Sequence, residues 1–293
     1  MSVRLLDGGV GQEIFRRLGQ PKGGWSQLAA IEHPSVVQSI HEEFLTAGSE
    51  IITADTYGLG RWHMNQSGLA DRFAEANFAA VQCAAAAREK LNPGALLAGA
   101  IGPVRLSYDA DMVPPPEVVE REVLEQALLL AKEVDLFICE TMTSGAEAAA
   151  CARAALAANR PVWVGLTLHE TGPPVLRSGE PIKVAVEALK GLDIEAVLLN
   201  CTSPEAVDAG IGELAAASHL PFGAYANAFL PIPSDAIHEG EVSHVGARKD
   251  VTPQIYADHA ERWIKVGATI VGGCCEVGHD HIAEIARRLA RHP

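Results

Sequence analysis

The chain has 293 residues, of which 48% are hydrophobic and 20% charged, and its formal net charge at pH 7 is −14. This composition supports a large core, and we expect one domain over residues 1–293, a size typical of an α/β barrel. The acidic balance argues against nucleic acid or an anionic membrane as partner. No apolar run approaches the roughly 20 residues that a membrane-spanning helix needs.

Short apolar strands alternate with helical stretches throughout the chain. Strands are predicted at 3–6, 50–53, 96–101, 135–139, 161–167, 196–199, 221–225 and 269–272. Helices are predicted from 33 onward and at 71–90, 116–132, 144–158, 182–190, 203–218, 253–266 and 279–291. Strands that are apolar on both faces are typical of a parallel sheet, and eight strand–helix units predict a single-domain (β/α)8 TIM barrel.

An open, doubly wound α/β sheet is the alternative fold. Such sheets usually have fewer units and carry a glycine-rich phosphate loop after the first strand. The stretch Asp7-Gly8-Gly9-Val10-Gly11 lacks the G-x-G-x-x-G spacing of that loop. The barrel is therefore favoured over the open sheet.

The N-terminal residues lead directly into the first predicted strand and show no signal-peptide pattern. Six cysteines without a secretory signal indicate a reducing compartment, and we expect a cytoplasmic protein. In that setting cysteines are more often metal ligands or catalytic groups than members of a disulfide framework.

A barrel of this kind has its active site at the carboxyl ends of the strands. Polar groups and thiols collect at these ends, namely Asp7, Asp55, Gly102, Glu140, Thr167, Asn200, Cys201, Tyr225, Asn227, Cys274 and Cys275. Three long loops, at 102–115, 168–181 and 228–251, follow the third, fifth and seventh strands. Long loops at this end of a barrel are usually functional, and we expect them to cover the site.

Three of the strand-end residues are cysteines. Cys201 follows Asn200, and Cys274-Cys275 follow a pair of glycines that leave room for a ligand. Three thiolates hold zinc well and leave its fourth tetrahedral position open, so we predict Zn²⁺ bound by these three side chains. The other cysteines, at 83, 139 and 151, are expected to pack in the core.

Histidines are not needed to complete this predicted site. Six of them lie in or beside loops, at positions 63, 169, 238, 244, 279 and 281. We expect solvated or capping roles for them. His169 is the one that directly follows a predicted strand.

The predicted centre suits one chemistry better than others. A zinc ion with three thiolates carries excess negative charge, so it generates hydroxide poorly and favours binding a substrate thiol as a nucleophilic thiolate. This indicates alkyl transfer to a thiol. Asp7 and Glu140 are candidates for binding an α-ammonium group, and the N–H groups of Gly8 to Gly11 for an α-carboxylate.

The remaining candidates are less decisive. Asn200 either contacts the substrate or only orients the loop that holds Cys201. A scaffold role and a substrate-binding role are equally expected for Asp55, Tyr225 and Asn227.

Several motifs together resemble the homocysteine S-methyltransferase family. They are Asp7-Gly8-Gly9-Val10-Gly11-Gln12-Glu13, Glu140-Thr141, Asn200-Cys201, Tyr225-Ala226-Asn227 and Gly272-Gly273-Cys274-Cys275. The resemblance covers nearly the whole chain, in the same order. It implies a zinc-bearing (β/α)8 barrel that methylates homocysteine to methionine, with Cys201, Cys274 and Cys275 as zinc ligands. It also implies that Asp7 and Glu140 bind the amino group of homocysteine, with the Gly8-Gly9 backbone near its carboxylate.

The chain departs from this family pattern mainly where the methyl donor is expected. Ala54-Asp55-Thr56-Tyr57 stands where relatives commonly have Asn-Thr-Tyr. The added carboxylate at Asp55 favours a cationic onium donor, such as S-methylmethionine or a betaine. Further departures are Val104-Arg105 after Gly102-Pro103, Ala226 in the seventh-strand motif, and Glu276 after the cysteine pair.

Other functions remain open at this stage. One is demethylation of a methylated catabolite, and another is corrinoid-linked transfer to a different thiol acceptor, with the corrinoid on a separate protein. A zinc or thiol sensor is a further alternative, and the long loops and strand-end carboxylates argue against it. A zinc hydrolase is another, but three thiolates with no nearby histidine activate water poorly. The expected partners are small-molecule substrates, and the protein is expected to be a monomer or a homo-oligomer.

Overall fold

The computed structural model describes residues 3–19, 26–232, 237 and 245–290. Eight parallel strands form its centre: β1 (Arg4–Leu5), β2 (Ile51–Ala54), β3 (Leu96–Ile101), β4 (Leu136–Met142), β5 (Val162–Leu166), β6 (Ala196–Asn200), β7 (Phe222–Ala226) and β8 (Ile270–Gly273). All eight were predicted, and their ends lie within one residue of the prediction except at the end of β4.

The strands close into a barrel. Their order in the sheet is β1-β8-β7-β6-β5-β4-β3-β2, and every pair is parallel. Leu6 and Ile51 form a parallel bridge between the two outermost strands, and the Glu50 N–H donates to the Leu5 carbonyl at 2.8 Å. The predicted (β/α)8 barrel is thereby confirmed.

The helices surround the barrel. Among the described residues they are α1 (Val10–Leu18), α2 (Ala29–Glu32), α3 (Pro34–Ala47), α4 (Arg61–Gln66), α5 (Phe73–Leu91), α6 (Pro116–Leu130), α7 (Gly145–Leu156), α8 (Ile182–Ala188), α9 (Pro204–Ala217), α10 (Pro253–Val266) and α11 (His279–Leu289). None of these helices is both long and apolar enough to cross a membrane.

Local sequence accounts for several helix ends. The side chains of Ser144, Ser203 and Thr252 each accept a backbone N–H at the start of α7, α9 and α10, as N-cap residues do. Proline occupies the first helical turn of α3, α9 and α10, where its missing N–H costs nothing. Gly267 ends α10 in the left-handed conformation that glycine adopts readily.

Two boundaries were not foreseen. Helix α1 begins directly after the glycines that follow β1, whereas the first helix was predicted only from residue 33; Val10 and Ile14 are spaced four residues apart and both are buried, as in an amphipathic helix. Strand β4 continues past Glu140, which was expected to lie just beyond its end. The register against β5 shifts between Cys139 and Met142, and this irregularity lets pairing resume at Met142.

The core has two layers. Inside the barrel a compact apolar cluster fills the space between the strands: Leu6, Ile51, Ala98, Leu136, Ile138, Trp163, Ala196, Leu198, Tyr225 and Ile270. A larger layer packs the outer faces of the strands against the helices. Cys83, Cys139 and Cys151 are buried and unpaired, in agreement with the packing role predicted for them. The filled interior closes the barrel below and leaves the carboxyl ends of the strands as the place for a site.

Candidate metal and substrate site

Three thiols predicted to act together do meet in the structure. Cys201 follows β6, whereas Cys274 and Cys275 follow β8, and their Sγ atoms all lie within 4.8 Å of one another. The Sγ atoms of Cys201 and Cys275 are 3.8 Å apart. Tetrahedral zinc with Zn–S bonds of about 2.3 Å requires ligand sulfurs about 3.8 Å apart, so this trio fits a zinc ion.

The backbone around the thiols is held in an uncommon conformation. Cys201 has φ +47° and Glu276 has φ +62°, values that non-glycine residues rarely adopt and that cluster at functional sites. A Cβ on Gly273 would lie 2.2 Å from Cγ1 of Val277, and a Cβ on Gly9 would lie 2.8 Å from the carbonyl oxygen of Cys274. The glycines beside the cysteines are therefore required for close packing of β1 against the cysteine turn.

Tyr108 contacts the thiol cluster and was not among the predicted site residues. Its hydroxyl lies 2.9 Å from Sγ of Cys201. Hydrogen bonds from the thiols of Cys274 and Cys275, with a smaller contribution from Tyr108, lower the pKa of Cys201 well below its usual value. These hydrogen bonds favour the thiolate form of Cys201. The only sequence signal for Tyr108 was its position in the long loop after β3.

Asp7 is buried at the end of β1 and bound to the neighbouring strand. Its carboxylate accepts the Thr53 N–H at 2.6 Å and the Thr53 hydroxyl at 3.0 Å. Burial raises its pKa to about 7, although the hydrogen bonds from Thr53 oppose that shift. Asp7 therefore both ties β1 to β2 and presents a carboxyl group to the cavity.

Glu140 lies on β4 and accepts a hydrogen bond from the Tyr225 hydroxyl at 2.8 Å. Burial raises its pKa to about 8, and the negative charges of Cys201 and Asp7 act in the same direction. Two carboxyl groups that titrate near neutrality in one cavity are well suited to binding a cation, because an approaching positive charge favours their ionised forms.

Asn200 serves a neighbouring part of the backbone. Its Oδ1 accepts the Thr141 N–H at 2.8 Å, and its Nδ2 donates to the Thr141 hydroxyl at 3.0 Å. Thr141 has φ +64°, so these bonds hold the turn of β4 next to Glu140. Asn200 is fully buried and does not line the cavity.

Asp55 and Asn227 lie in different surroundings. Asp55 lines the cavity and accepts a hydrogen bond from the Ser26 hydroxyl at 2.6 Å, and burial raises its pKa to about 6. Asn227 is 1% exposed, and its Oδ1 accepts the Phe229 N–H at 3.3 Å. Asn227 is not among the residues that line the cavity.

The glycine stretch after β1 is partly occupied by protein contacts. The Gly9 N–H donates to the Val277 carbonyl at 3.0 Å, and the Val10 N–H donates to the Gly8 carbonyl at 3.0 Å. Because α1 begins at Val10, the N–H groups of Gly11 and Gln12 have no acceptor within the helix. Any carboxylate bound here would meet the first turn of α1, whose dipole favours negative charge.

One cavity joins these groups. Its ionisable lining, within the described part of the chain, consists of carboxyl groups, thiols and phenols: Asp7, Asp55, Glu140, Cys201, Cys274, Cys275, Tyr57, Tyr108 and Tyr225. No lysine, arginine or histidine among those residues lines it. Such a cavity attracts cations.

The histidines lie elsewhere. His63 is buried against the Arg105 carbonyl at 3.1 Å, and burial lowers its pKa to about 4. His281 contacts the Val251 carbonyl at 3.0 Å. Of the other loop histidines, His238 and His244 fall outside the described residues. The described histidines do not line the cavity, in keeping with the prediction that the thiol centre needs none of them.

Comparison with known proteins supports this interpretation. A family model described as homocysteine S-methyltransferase matches residues 4–289. A homocysteine S-methyltransferase of Escherichia coli (strain K12) is 27% identical over an alignment of 306 residues, covering 98% of this chain and 95% of that protein. A methionine synthase of Mycobacterium leprae (strain TN) is 25% identical over 302 residues, which cover 99% of this chain but 24% of that longer protein.

Solved structures agree with the barrel. The metallated form of the homocysteine methyltransferase MmuM from Escherichia coli superposes with a TM-score of 0.82 at 24% identity, covering 98% of this chain and 96% of that one. Its oxidised form gives a TM-score of 0.80 at 25% identity, with the same coverage of both chains. Because the family model spans nearly the entire barrel, the chain belongs to the homocysteine S-methyltransferase family.

Proposed function

We propose that the protein transfers a methyl group from an onium donor, such as S-methylmethionine or a betaine, to the thiol of homocysteine and so forms methionine. The observation that carries the proposal is the meeting of three thiols and two buried carboxyl groups in one acidic cavity. Family membership supports homocysteine as acceptor. The donor is inferred from charge.

Zinc is the proposed metal, with Cys201, Cys274 and Cys275 as its ligands. The all-sulfur donor set and the spacing of the thiols support zinc over harder cations, which prefer oxygen ligands. When bound, zinc supplies a Lewis acid that lowers the pKa of a thiol at its open position. Six unpaired cysteines are consistent with the reducing cytoplasm that we propose as location.

Asp7 and Glu140 are the proposed partners of the homocysteine ammonium group. Both are buried, and both have pKa values raised to near neutrality, so a bound cation converts them to carboxylates that pair with it. The first turn of α1 offers free N–H groups at Gly11 and Gln12 for the homocysteine carboxylate. These contacts fix the acceptor sulfur near the thiol cluster.

The transfer step is a displacement at carbon. The homocysteine thiol releases its proton to solvent, and the resulting thiolate sulfur attacks the donor methyl carbon and forms the new S–C bond. The bond from that carbon to the donor's sulfonium sulfur or ammonium nitrogen breaks, and its electron pair leaves with the donor. The donor thus loses its positive charge, while Asp55 and the other carboxylates favour its binding as a cation beforehand.

The test is turnover of reduced, zinc-loaded protein with homocysteine and four donors: S-methylmethionine, S-adenosylmethionine, glycine betaine and dimethylsulfoniopropionate. We expect methionine from at least one donor, with its formation lost in Cys274→Ser. Cys83→Ser is the matched control, because Cys83 lies on α5, outside the cavity, with its Sγ 3.5 Å from the Pro34 carbonyl. Stoichiometric zinc without methionine from any donor would contradict the proposal.

A further inference from the structure

A second cavity, the outer cavity, shares Tyr108 with the main one. It is formed chiefly by the loops after β3 and β5, and its lining includes Arg177, Ser178, Asp109 and Asp111. Tyr108 lines both cavities and is their shared wall. The outer cavity thus places the basic side chain of Arg177 near the main cavity, whose own ionisable lining, as far as the structure describes the chain, includes no basic group.

Arg177 is buried but incompletely bonded. Its side chain is 6% exposed, and its Nη2 pairs with Oε1 of Glu170 at 2.9 Å. Its Cζ lies 4.7 Å from the centre of the Tyr108 ring. Its Nε is buried without a hydrogen-bond partner among the described residues. A guanidinium carries five N–H donors, so this one retains capacity for a further acceptor.

The backbone holds Arg177 in place before any ligand binds. Leu168 and Leu176 form an antiparallel bridge, and the Arg177 N–H donates to the Thr167 carbonyl at 3.3 Å. Its partner Glu170 is itself fixed, because Oε2 accepts the Ser203 N–H at 2.8 Å. A guanidinium fixed in this way loses little freedom when it binds a planar acceptor such as a carboxylate.

We propose that Arg177 binds the carboxylate of the zwitterionic methyl donor. This inference rests on the proposed methyl transfer and names the residue that recognises the anionic end of its donor. The donor's cationic centre would occupy the acidic main cavity, and its carboxylate would reach past Tyr108 to the guanidinium. Asp109 and Asp111 also line the outer cavity and repel highly charged anions, so the cavity suits a single carboxylate better than a phosphate or a dicarboxylate.

The topology assigns this contact to the donor rather than to homocysteine. Strand β5, which precedes Arg177, lies diametrically opposite β1 in the closed barrel. The proposed site of the homocysteine carboxylate, the first turn of α1, is on the β1 side, and the ammonium group would lie between Asp7 after β1 and Glu140 on β4. The two carboxylates would therefore bind at opposite walls, with the thiol cluster between them.

The experiment compares each of the four donors with its carboxamide, by isothermal titration against the zinc-loaded protein with homocysteine omitted. For the donor that binds most tightly, we expect the wild type to bind the carboxylate form at least tenfold more tightly than the carboxamide. In Arg177→Gln this preference should fall below roughly threefold, while Arg177→Lys should retain part of it.

Arg248→Gln is the matched control, because Arg248 is also a paired loop arginine but lines neither cavity. Its carboxylate preference should equal that of the wild type. An undiminished preference in Arg177→Gln, an equal loss in Arg248→Gln, or a raised KM for homocysteine with unchanged donor binding would each overturn the inference. Absence of methionine formation with an intact carboxylate preference would instead count against the proposed reaction alone.

Discussion

The two sides of the cavity are built differently. The strand-borne side consists of Asp7, Glu140 and the three clustered thiols, which follow or lie on β1, β4, β6 and β8. The loop-borne side consists of Asp55, directly after β2, and Tyr108, in the loop after β3; the Tyr108 ring contacts Arg177 of the outer cavity. On the strand-borne side, strand pairing and buried hydrogen bonds fix the side chains. On the loop-borne side, the positions of the side chains depend on their contacts with other side chains. We therefore expect substitutions of the clustered thiols to reduce activity more than substitutions of Asp55 or Tyr108.

Loss of one thiol should have the largest effect. In Cys201→Ser we expect bound zinc to fall below one equivalent and turnover to drop at least a thousandfold, about 4 kcal/mol in the activation barrier. Metal analysis and methionine formation measure the two effects. Full zinc content with full activity in this variant would remove the metal centre from the mechanism.

Glu140→Gln should weaken homocysteine binding next most strongly. Removing one member of a buried charge pair costs about 2–5 kcal/mol, so we expect the homocysteine KM to rise roughly a hundredfold and the donor KM to change little. Because Asp7 and Glu140 must ionise to bind an ammonium, wild-type kcat/KM for homocysteine should rise as the pH increases through about 7 and 8. The step near 8 should disappear in the variant.

A stability measurement separates this effect from misfolding. The pKa of Glu140 is raised from 4.5 to about 8 in the folded protein, so the folded state binds more protons than the unfolded state between these values. Its stability therefore falls as the pH rises through that window. Glu140→Gln removes the cost of ionising a buried carboxyl group, so the variant should have a Tm no lower than that of the wild type at pH 8. A markedly lower Tm would assign the kinetic loss to unfolding.

Asp55→Asn should have a smaller effect, confined to the donor. Its carboxylate keeps the Ser26 hydrogen bond in the folded protein and is mostly ionised above its pKa of about 6. Loss of that charge should raise the donor KM roughly tenfold and leave the homocysteine KM unchanged. Unchanged donor affinity would show that the carboxylate does not contribute to donor recognition.

Tyr108→Phe should have the smallest effect and separates the two sides of the cavity. It removes the hydroxyl that contacts Cys201 but keeps the ring that packs against Arg177. We expect zinc affinity, measured by chelator competition, to fall several-fold, about 1 kcal/mol. The carboxylate preference of the donor should persist. Its loss would mean that the hydroxyl, rather than the ring, supports the outer cavity.

The barrel and the clustering of the three thiols could both be predicted from the sequence, for the same reason. Alternation of apolar strands with helices leaves few topologies, and the barrel then brings all strand ends together. Cys201 and the Cys274-Cys275 pair could thus be placed in one site although Cys201 and Cys274 are 73 positions apart in the chain.

The sequence did not indicate the side-chain pairing within the site. From the sequence, Asn200 could either contact the substrate or orient its own loop. Only the fold reveals that the oxygen and the nitrogen of its side-chain amide both bind Thr141. Tyr108 and Arg177 lie in long loops without periodicity, so their contact depends on how two loops fold over the barrel. Contacts of this kind arise from tertiary packing that no local pattern encodes.

The short hairpin-like segment that carries Arg177 has an evolutionary consequence. Its ends are joined by the bridge between Leu168 and Leu176, and the bonds that fix it lie largely within the segment or run to adjacent backbone. Substitutions there can alter the charge presented at the mouth of the barrel without disturbing the thiols beneath. We therefore expect evolution to alter the preference for a methyl donor through this one segment while the thiol cluster stays unchanged.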